Sequence, residues 1–336
     1  MNKQLSYLTS LFGASGSEGD VRQAIINEIR EYCEKIEVDR LGNVIAFKRG
    51  SMEAPYPLML SAHMDEVALM ITHIDGDGYL KFDSIGGIDA RILPGKHVVI
   101  GRHKLHGVIG VLAPHLAKDD APAPKIEDLY IDIGALNKED AEEHVTIGDR
   151  VGFDSDYQEF GDGLVRAKAL DDRAGCYALI EIMKKDIPFD AYFAFTTMEE
   201  IGCLGASTAA YAIHPQYALI LEGTTAGDIH SDENRSSVCK VGEGPVISFM
   251  DNGTIYDRQF YRLAMDAARE NGIPVQTKQA VAGGNESSAV QRSWGGCKVL
   301  AVSVPCRYIH SPVSVAALSD IENTVRLAQA ILNKLL

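Results

Sequence analysis

Seven residues in five separated segments have the side-chain types of a two-metal hydrolase site. Two divalent cations held close together need one carboxylate that bridges them and one imidazole and one further carboxylate on each. They also need a free carboxylate that takes a proton from the attacking water. The sequence supplies this set, in chain order, as His63, Asp65, Asp171, Glu199, Glu200, Glu222 and His310.

Each of these segments also has a simpler interpretation when it is taken alone. The His63-Met-Asp65 triplet could arise by chance, and the pair Glu199-Glu200 could be a solvated turn. Asp171 opens an Asp-Asp-Arg run that could cap a helix N-terminus and offset its dipole. The shared context of the segments, rather than the number of acids, favours a site.

Short apolar runs of strand type precede most of these residues. Such runs, bounded by turn signals, are typical of buried strands in an α/β sheet, and open α/β sheets bind ligands at the carboxyl ends of their strands. Asp171 instead begins the amphipathic stretch from Asp172 to Lys185, so its carboxylate should project from a helix N-terminus. The runs are 57–62 before His63, 191–198 before Glu199, 217–221 before Glu222 and 299–304 before His310.

Five motifs in order carry a resemblance to a known family. They are Ala-His-Met-Asp-Glu, Lys-Ala-Leu-Asp-Asp-Arg, Glu-Glu-Ile-Gly, the acid after the Tyr217–Leu221 run, and Arg-Tyr-Ile-His-Ser. In this order and spacing they resemble the co-catalytic metallo-aminopeptidases of the glutamyl and tetrahedral (TET) aminopeptidase family, some of whose members carry endoglucanase labels. The resemblance covers about residues 5 to 333.

The resemblance implies a role for each site residue. His63 and Glu222 would bind one metal, with Asp65 orienting the imidazole, and Glu200 and His310 would bind the other. Asp171 would bridge the two metals, and Glu199 would be the general base that serves a metal-bridged hydroxide. Two divalent ions per subunit are implied, with zinc expected and cobalt or manganese as alternatives. The implied activity is the release of N-terminal residues from short peptides.

Two departures from the family pattern concern the length of a carboxylate. Glu222 and Glu286 stand where relatives often have Asp, so we predict that the two substitutions are geometrically linked. The Gly-Gly-Asn-Glu-Ser segment that holds Gly284 and Glu286 could contact substrate, or it could be a glycine turn that caps a helix over 286–292. Arg307 could favour an acidic substrate side chain or form a structural ion pair. The sequence leaves the side-chain preference open.

Helix and strand patterns alternate along the segments that position these residues. This alternation predicts an α/β fold with helices on both faces of the sheet. Helices are expected over 17–35, 255–270 and 315–336, and strands at Val38 and Val44–Phe47. Evenly spaced β-type runs between Leu69 and Arg166 predict an inserted all-β barrel-like domain. The catalytic domain then comprises 1–68 and 167–336, and the inserted domain comprises 69–166. The Pro-rich stretch 112–125 is the expected mobile loop.

By the same resemblance, the inserted domain mediates dimerisation, and dimers join into a tetrahedron of twelve subunits.

Composition limits other partners. A net charge of −15 with no basic run argues against nucleic acid, and no apolar run approaches the roughly 20 residues of a membrane span. The N-terminus lacks a secretory signal, so we expect a cytoplasmic enzyme. Six scattered cysteines without C-x-x-C spacing indicate neither a disulfide framework nor a thiolate zinc site.

Three other functions are compatible with parts of the pattern. A metal-dependent deacylase of the desuccinylase or carboxypeptidase type would use a similar site but usually carries an α+β lid in place of an all-β insertion. An endoglucanase would need two free carboxyl groups beside a sugar, whereas these acids look committed to metals. A non-catalytic assembly protein would be expected to have lost some of the seven residues.

Overall fold

The computed structural model describes residues 2–113, 122–229 and 237–335, and within them it contains seventeen β-strands and eight α-helices. The strands are β1 Lys35–Val38, β2 Val44–Lys48, β3 Leu58–His63, β4 Ala68–Ile74, β5 Leu80–Ile85, β6 His97–Ile100, β7 Leu105–Gly110, β8 Tyr130–Asp132, β9 Arg150–Phe153, β10 Gln158–Phe160, β11 Leu164–Ala167, β12 Ala191–Thr196, β13 Tyr217–Thr225, β14 Val246–Ile247, β15 Gln276–Thr277, β16 Lys298–Cys306 and β17 Ser314–Ala317. The helices are α1 Lys3–Ser10, α2 Gly19–Ile29, α3 Lys138–Glu142, α4 Leu170–Met183, α5 Leu204–Ile213, α6 Arg258–Glu270, α7 Ser287–Gln291 and α8 Leu318–Lys334. No helix of this described part is long and apolar enough to cross a membrane.

An eight-stranded mixed sheet forms the central layer, in the order β1-β2-β12-β3-β13-β16-β14-β15. The four central strands β12, β3, β13 and β16 run parallel. Every residue of β3 is buried, as expected for a strand that is covered on both faces.

The two faces of the sheet pack against different helices. Alternate residues of β3 point to opposite sides: Leu60 joins the apolar core under α2, α4, α6 and α8, and Met59 joins the core under α5 and α7. The predicted α/β class with helices on both faces is therefore confirmed.

A closed six-stranded barrel, in the order β4-β5-β8-β7-β6-β9, follows β3 in the chain. Its interior is filled by apolar side chains that include Leu69, Ile71, Ile131 and Val151. The short helix α3 lies between the last two barrel strands in the chain. The predicted all-β barrel inserted between His63 and Asp171 is thus observed.

Strands β10 and β11 do not belong to this barrel. They form a separate three-stranded sheet with β17, in which Arg166 lies opposite Val315. Val165 and Ala167 pack with core residues of the catalytic part, which explains why this segment leaves the barrel after Phe153. The division into 1–68, 69–166 and 167–336 stays a prediction, and the strand pairing puts the end of the barrel before Arg166.

The observed helix ends differ from those expected from sequence. The expected 17–35 helix is α2, which ends at Ile29, and the final helix begins at Leu318 because the preceding residues pair as β17. Helix α1 was not predicted, although the side chain of Asn2 accepts a hydrogen bond from the backbone of Leu5 as a helix N-cap does. Residues 114–121 of the predicted mobile loop lie outside the described residues.

Candidate active site

The carboxyl edge of the central sheet brings the candidate residues together. His63 is the last residue of β3, and Glu222 lies inside the longer strand β13. Glu199 and Glu200 follow the end of β12, and His310 follows the end of β16. Because these four strands are parallel, their carboxyl ends meet at one edge of the sheet.

Asp171 is placed differently, at the start of α4, where its backbone is not yet helical (φ −87°, ψ 109°). Its carboxylate lies between the two imidazoles. Oδ1 is 3.4 Å from Nε2 of His63, and Oδ2 is 3.6 Å from Nε2 of His310. One carboxylate therefore offers one oxygen to each imidazole, which is the geometry required of a bridging ligand.

Two groups of donor atoms share Asp171. His63, Asp171 and Glu222 form one group, and Asp171, Glu200 and His310 form the other, with donor atoms within 4.8 Å of one another in each. Nε2 of His63 is 3.9 Å from Glu222, and Nε2 of His310 is 3.3 Å from Glu200. Metal–ligand bonds of about 2.1 Å in a tetrahedral site put donor atoms about 3.4 Å apart. The spacing of the donors therefore fits two cations.

The electrostatics of the cluster agree with this fit. Burial and the nearby charge of Asp171 raise the pKa of Glu200 to about 8, and burial together with Glu199 raises the pKa of Glu222. The hydrogen bond with Asp171 raises the pKa of His310 to about 9. Buried like charges resist ionisation together unless cations offset them. The residues present therefore suit divalent ions.

Asp65 ties the His63 ring to the loop that carries Glu199 and Glu200. Its Oδ1 lies 3.5 Å from Nδ1 of His63, and its carboxylate accepts hydrogen bonds from the backbone N–H groups of Glu199 (2.9 Å) and Glu200 (3.2 Å). The Ser15 hydroxyl donates to it at 2.6 Å. Burial raises the pKa of Asp65, but the interactions with His63 and Ser15 outweigh burial and hold it below its ordinary value.

Glu199 lies at the rim of the donor groups. One of its carboxylate oxygens is within 4.8 Å of donor atoms of His63 and Glu200, and Oε1 accepts a hydrogen bond from the Cys203 thiol at 3.3 Å. Burial raises the pKa of Glu199 above its ordinary value. A carboxylate in this position is within reach of a group that reacts at the donor cluster.

Glu286 lies behind the cluster rather than on its open side. Its side chain is fully buried and accepts hydrogen bonds from the hydroxyl groups of Ser61 and Thr196. Its backbone N–H donates to Oε1 of Glu222 at 3.3 Å, so the two residues are in contact, and the predicted link between the lengths of their side chains stays a prediction. Burial raises the pKa of Glu286 to about 7. With no exposed surface, this side chain does not face a substrate.

The other two substrate-side residues are also located by the structure. Arg307 makes a two-point ion pair with Asp228, with Nε–Oδ1 and Nη2–Oδ2 distances of 2.8 and 2.7 Å. Of the two interpretations of Arg307, the structural ion pair is the one observed. Gly284 lies exposed in the loop before α7, which begins at Ser287 as the glycine-turn interpretation expected.

A buried ion cluster beside the site was missed by sequence reasoning. Lys168 donates to both oxygens of Glu66 at 2.8 and 2.9 Å, and Nη2 of Arg173 lies 3.3 Å from the same carboxylate. Nε of Arg173 donates to the backbone carbonyl of Met64 at 2.8 Å. The signal was present in the sequence, because Lys168 and Arg173 flank the Asp171-Asp172 pair.

Asp172 and Ser15 are two further polar groups that the sequence did not single out. Asp172 is fully buried and accepts hydrogen bonds from the backbone N–H groups of His63 (3.2 Å) and Gly175 (2.9 Å). It therefore fixes the backbone of His63 to α4, while Ser15 fixes Asp65. Asp172 is adjacent to Asp171 in the chain, whereas Ser15 has no motif of its own and only the fold brings it to the site.

Comparison with known proteins identifies the family. Residues 42–327 match the family model described as M42 glutamyl aminopeptidase. The chain is 33% identical over 336 residues to lysyl aminopeptidase of Pyrococcus furiosus, covering 96% of this chain and 94% of the relative. Two solved structures are also similar. Aminopeptidase APDkam598 of Desulfurococcus kamchatkensis has a TM-score of 0.93 at 33% identity, covering 98% of this chain and 93% of that one.

The second structure is a TET1 peptidase of Pyrococcus horikoshii that can assemble into a tetrahedron or a large octahedral shell. It has a TM-score of 0.86 at 38% identity and covers 98% of both chains. The family model and the aminopeptidase names of these relatives favour neither the deacylase nor the endoglucanase alternative. The chain therefore belongs to the M42 glutamyl aminopeptidase family and is a metal-dependent hydrolase of peptide bonds.

Proposed function

We propose that this aminopeptidase binds two divalent metal ions per chain and releases N-terminal residues from short peptides. The observation that carries this proposal is the position of Asp171, which presents one carboxylate oxygen to each of two imidazoles. His63 and Glu222 would hold one ion with Asp171, and Glu200 and His310 would hold the other. Zinc is the expected ion, with cobalt or manganese as alternatives, because imidazole and carboxylate donors suit all three.

The chain's own residues account for the remaining chemistry. The bound ions would supply Lewis acidity, which polarises the scissile carbonyl and makes water a nucleophile near neutral pH. Glu199 would accept the proton of the attacking water on its carboxylate and deliver it to the amine that leaves. Asp65 would hold the His63 ring in one orientation through Nδ1.

The site suits a peptide's free N-terminus. The free α-amine of the substrate would bind beside the metal ions or the carboxylate of Glu199, which lies at the rim of the donor groups. An internal peptide segment has no free amine to place there. This difference supports exopeptidase activity. The relative in P. furiosus is named for lysyl substrates and the family for glutamyl ones, so we assign no side-chain preference to this chain.

We further propose that the inserted β-domain, predicted as residues 69–166, joins two copies and that the dimers build a dodecamer. The assembly of the P. horikoshii relative into closed shells supports this proposal. The cytoplasmic location expected from sequence stays a prediction.

Glu199→Gln tests the proposed roles directly. The substitution keeps the size of the side chain but removes the base. We therefore expect hydrolysis of aminoacyl chromogenic substrates to fall by roughly 10²- to 10⁴-fold, while two metal ions per chain remain by elemental analysis. Glu31→Gln, which changes an exposed acid outside the site, should change neither quantity. Loss of one metal ion from Glu199→Gln would instead make Glu199 a ligand and contradict its assignment as the base.

A further inference from the structure

Three aromatic side chains form an exposed cluster on the catalytic part of the chain, which we call the aromatic surface: Tyr211, His214 and Trp294. The rings of His214 and Trp294 stack at a centroid distance of 4.1 Å with an interplanar angle of 23°, and Tyr211 meets Trp294 edge-on at 5.5 Å. Tyr211 is 59% exposed and Trp294 66% exposed. These rings contact one another and leave most of their area to solvent.

The aromatic surface is rigidly supported. Ala206, Ala209 and Ile213 bury the opposite side of α5 in the core, so Tyr211 is held on its outer side. Trp294 lies in a turn after α7, closed by the hydrogen bond from the backbone N–H of Gly296 to the Ser293 carbonyl at 2.9 Å. Because little side-chain freedom remains to be lost, such rings make effective anchors for a protein partner.

Further apolar groups extend this surface. Ile255 is 70% exposed, and its carbonyl accepts a hydrogen bond from the Gln291 side chain on α7 at 2.8 Å. Leu204 lies two turns before Tyr211 on α5 and is 44% exposed. Contiguous exposed apolar surface that includes Tyr and Trp is typical of protein–protein contacts rather than of surfaces that face water.

Symmetry limits what the partner can be. An isologous two-fold contact joins two copies and then stops, so a closed shell with three-fold axes, such as a tetrahedron, needs a second, head-to-tail contact. The proposed dimer uses the barrel, and the aromatic surface lies on α5 and α7, outside the barrel strands. Each copy carries a net charge of −15, so copies repel one another, and a second contact is favoured where an exposed apolar surface is available to offset that repulsion.

We propose that the aromatic surface is this second contact, through which dimers of the chain join around the three-fold axes of the shell. The inference rests on the proposed dodecamer. The partner is another copy of this chain, and its contact would bury Tyr211 and Trp294.

The fluorescence of Trp294 tests the proposal in the unmodified enzyme, because it is the only tryptophan of the chain. At micromolar concentration with metal, we expect blue-shifted emission and weak quenching by acrylamide. On dilution, a red shift and several-fold stronger quenching should accompany the fall in mass seen by light scattering. Solvent-exposed emission from particles that contain twelve chains would overturn the inference.

Substitution provides a second test. Tyr211→Ser combined with Trp294→Ser should reduce the particle from twelve copies of the 36.5 kDa chain to two. Tyr7→Ser, which removes a tyrosine of 51% exposure from α1, should leave the mass unchanged. Hydrolysis of a short chromogenic substrate and the melting temperature report whether the double variant is folded.

The outcomes separate the two proposals. A double variant that still forms twelve-chain particles contradicts the assignment of the aromatic surface and leaves the dodecamer intact. A wild type that remains a dimer while it hydrolyses peptides contradicts the dodecamer and the inference together. A double variant that unfolds leaves the fluorescence measurement on the wild type to decide.

Discussion

The two halves of the candidate metal site are built on different supports. In the inner half, His63 ends a buried strand and its side chain is 1% exposed, with Glu222 beside it at 4%. In the outer half, Glu200 is equally buried, but His310 lies in a loop and its side chain is 40% exposed. The same types of donor are thus presented once by the core of the sheet and once by its surface.

The support of the imidazoles differs as well. Nδ1 of His63 faces Asp65, which is held in turn by Ser15. Among residues 2–113, 122–229 and 237–335, no hydrogen bond to Nδ1 of His310 is found, and the backbone of His310 has a φ of 57°. A partner on the second ring nitrogen fixes a ligand before the metal arrives. The inner half is therefore the more pre-organised, and we expect it to bind its ion more tightly.

The largest effect is expected from the residue that the two halves share. Asp171→Asn removes the charge and one of the two donor oxygens, so both ions should be lost and activity should fall by about 10⁴-fold or more. Metal analysis after gel filtration measures this loss, with the exposed Asp186→Asn as the control. Retention of two ions would contradict a bridging role for Asp171.

Substitutions of a ligand in one half should remove the ion of that half and leave the other ion bound. Glu200→Gln should release only the outer ion and Glu222→Gln only the inner one, leaving one ion per chain in each variant. Titration with a chelator should then remove the remaining ion at a lower chelator concentration from Glu222→Gln, which retains only the outer half. Equal chelator sensitivity of the two variants would mean that support by the strand does not strengthen binding.

The smallest effect is expected from the residues that orient His63. Asp65→Asn should weaken the affinity for the inner ion by about 10- to 100-fold. It should weaken the affinity for the outer ion less, because Asp65 meets Glu200 only through the backbone N–H. Ser15→Ala removes only a partner of Asp65 and should have a smaller effect in the same direction. Isothermal titration calorimetry, with metal added to metal-free protein, measures the affinities of both variants. If Asp65→Asn weakened the affinity for the outer ion more than that for the inner ion, the proposed difference in support between the two halves would be reversed.

Sequence reasoning located the candidate site well because its residues follow recognisable strands. His63, Glu222 and His310 each come after or within an apolar run, and parallel strands bring such positions to one edge. The barrel was also predictable, because short apolar runs separated by regularly spaced turns are typical of all-β barrels and sandwiches.

What sequence reasoning missed depends on contacts between distant segments. Whether β11 joins the barrel or pairs with β17 is decided by packing of Val165 and Ala167, not by any local pattern. The hydrogen bonds from Ser61 and Thr196 to the buried Glu286 side chain could not be predicted from a local pattern either, because these partners lie 225 and 90 residues away in the chain. The charge of Arg307 could not reveal its pairing with Asp228 for the same reason.

The ion cluster of Glu66, Lys168 and Arg173 has a mechanical consequence. Only residues 64–67 separate His63 from the first barrel strand, so a barrel pulled by neighbouring copies would transmit force along this short link. Glu66 lies within the link, held by two buried cations, and its backbone N–H donates to the Gly13 carbonyl. The cluster therefore holds the link at Glu66, so a displacement of the barrel would meet these buried contacts before it reached the imidazole.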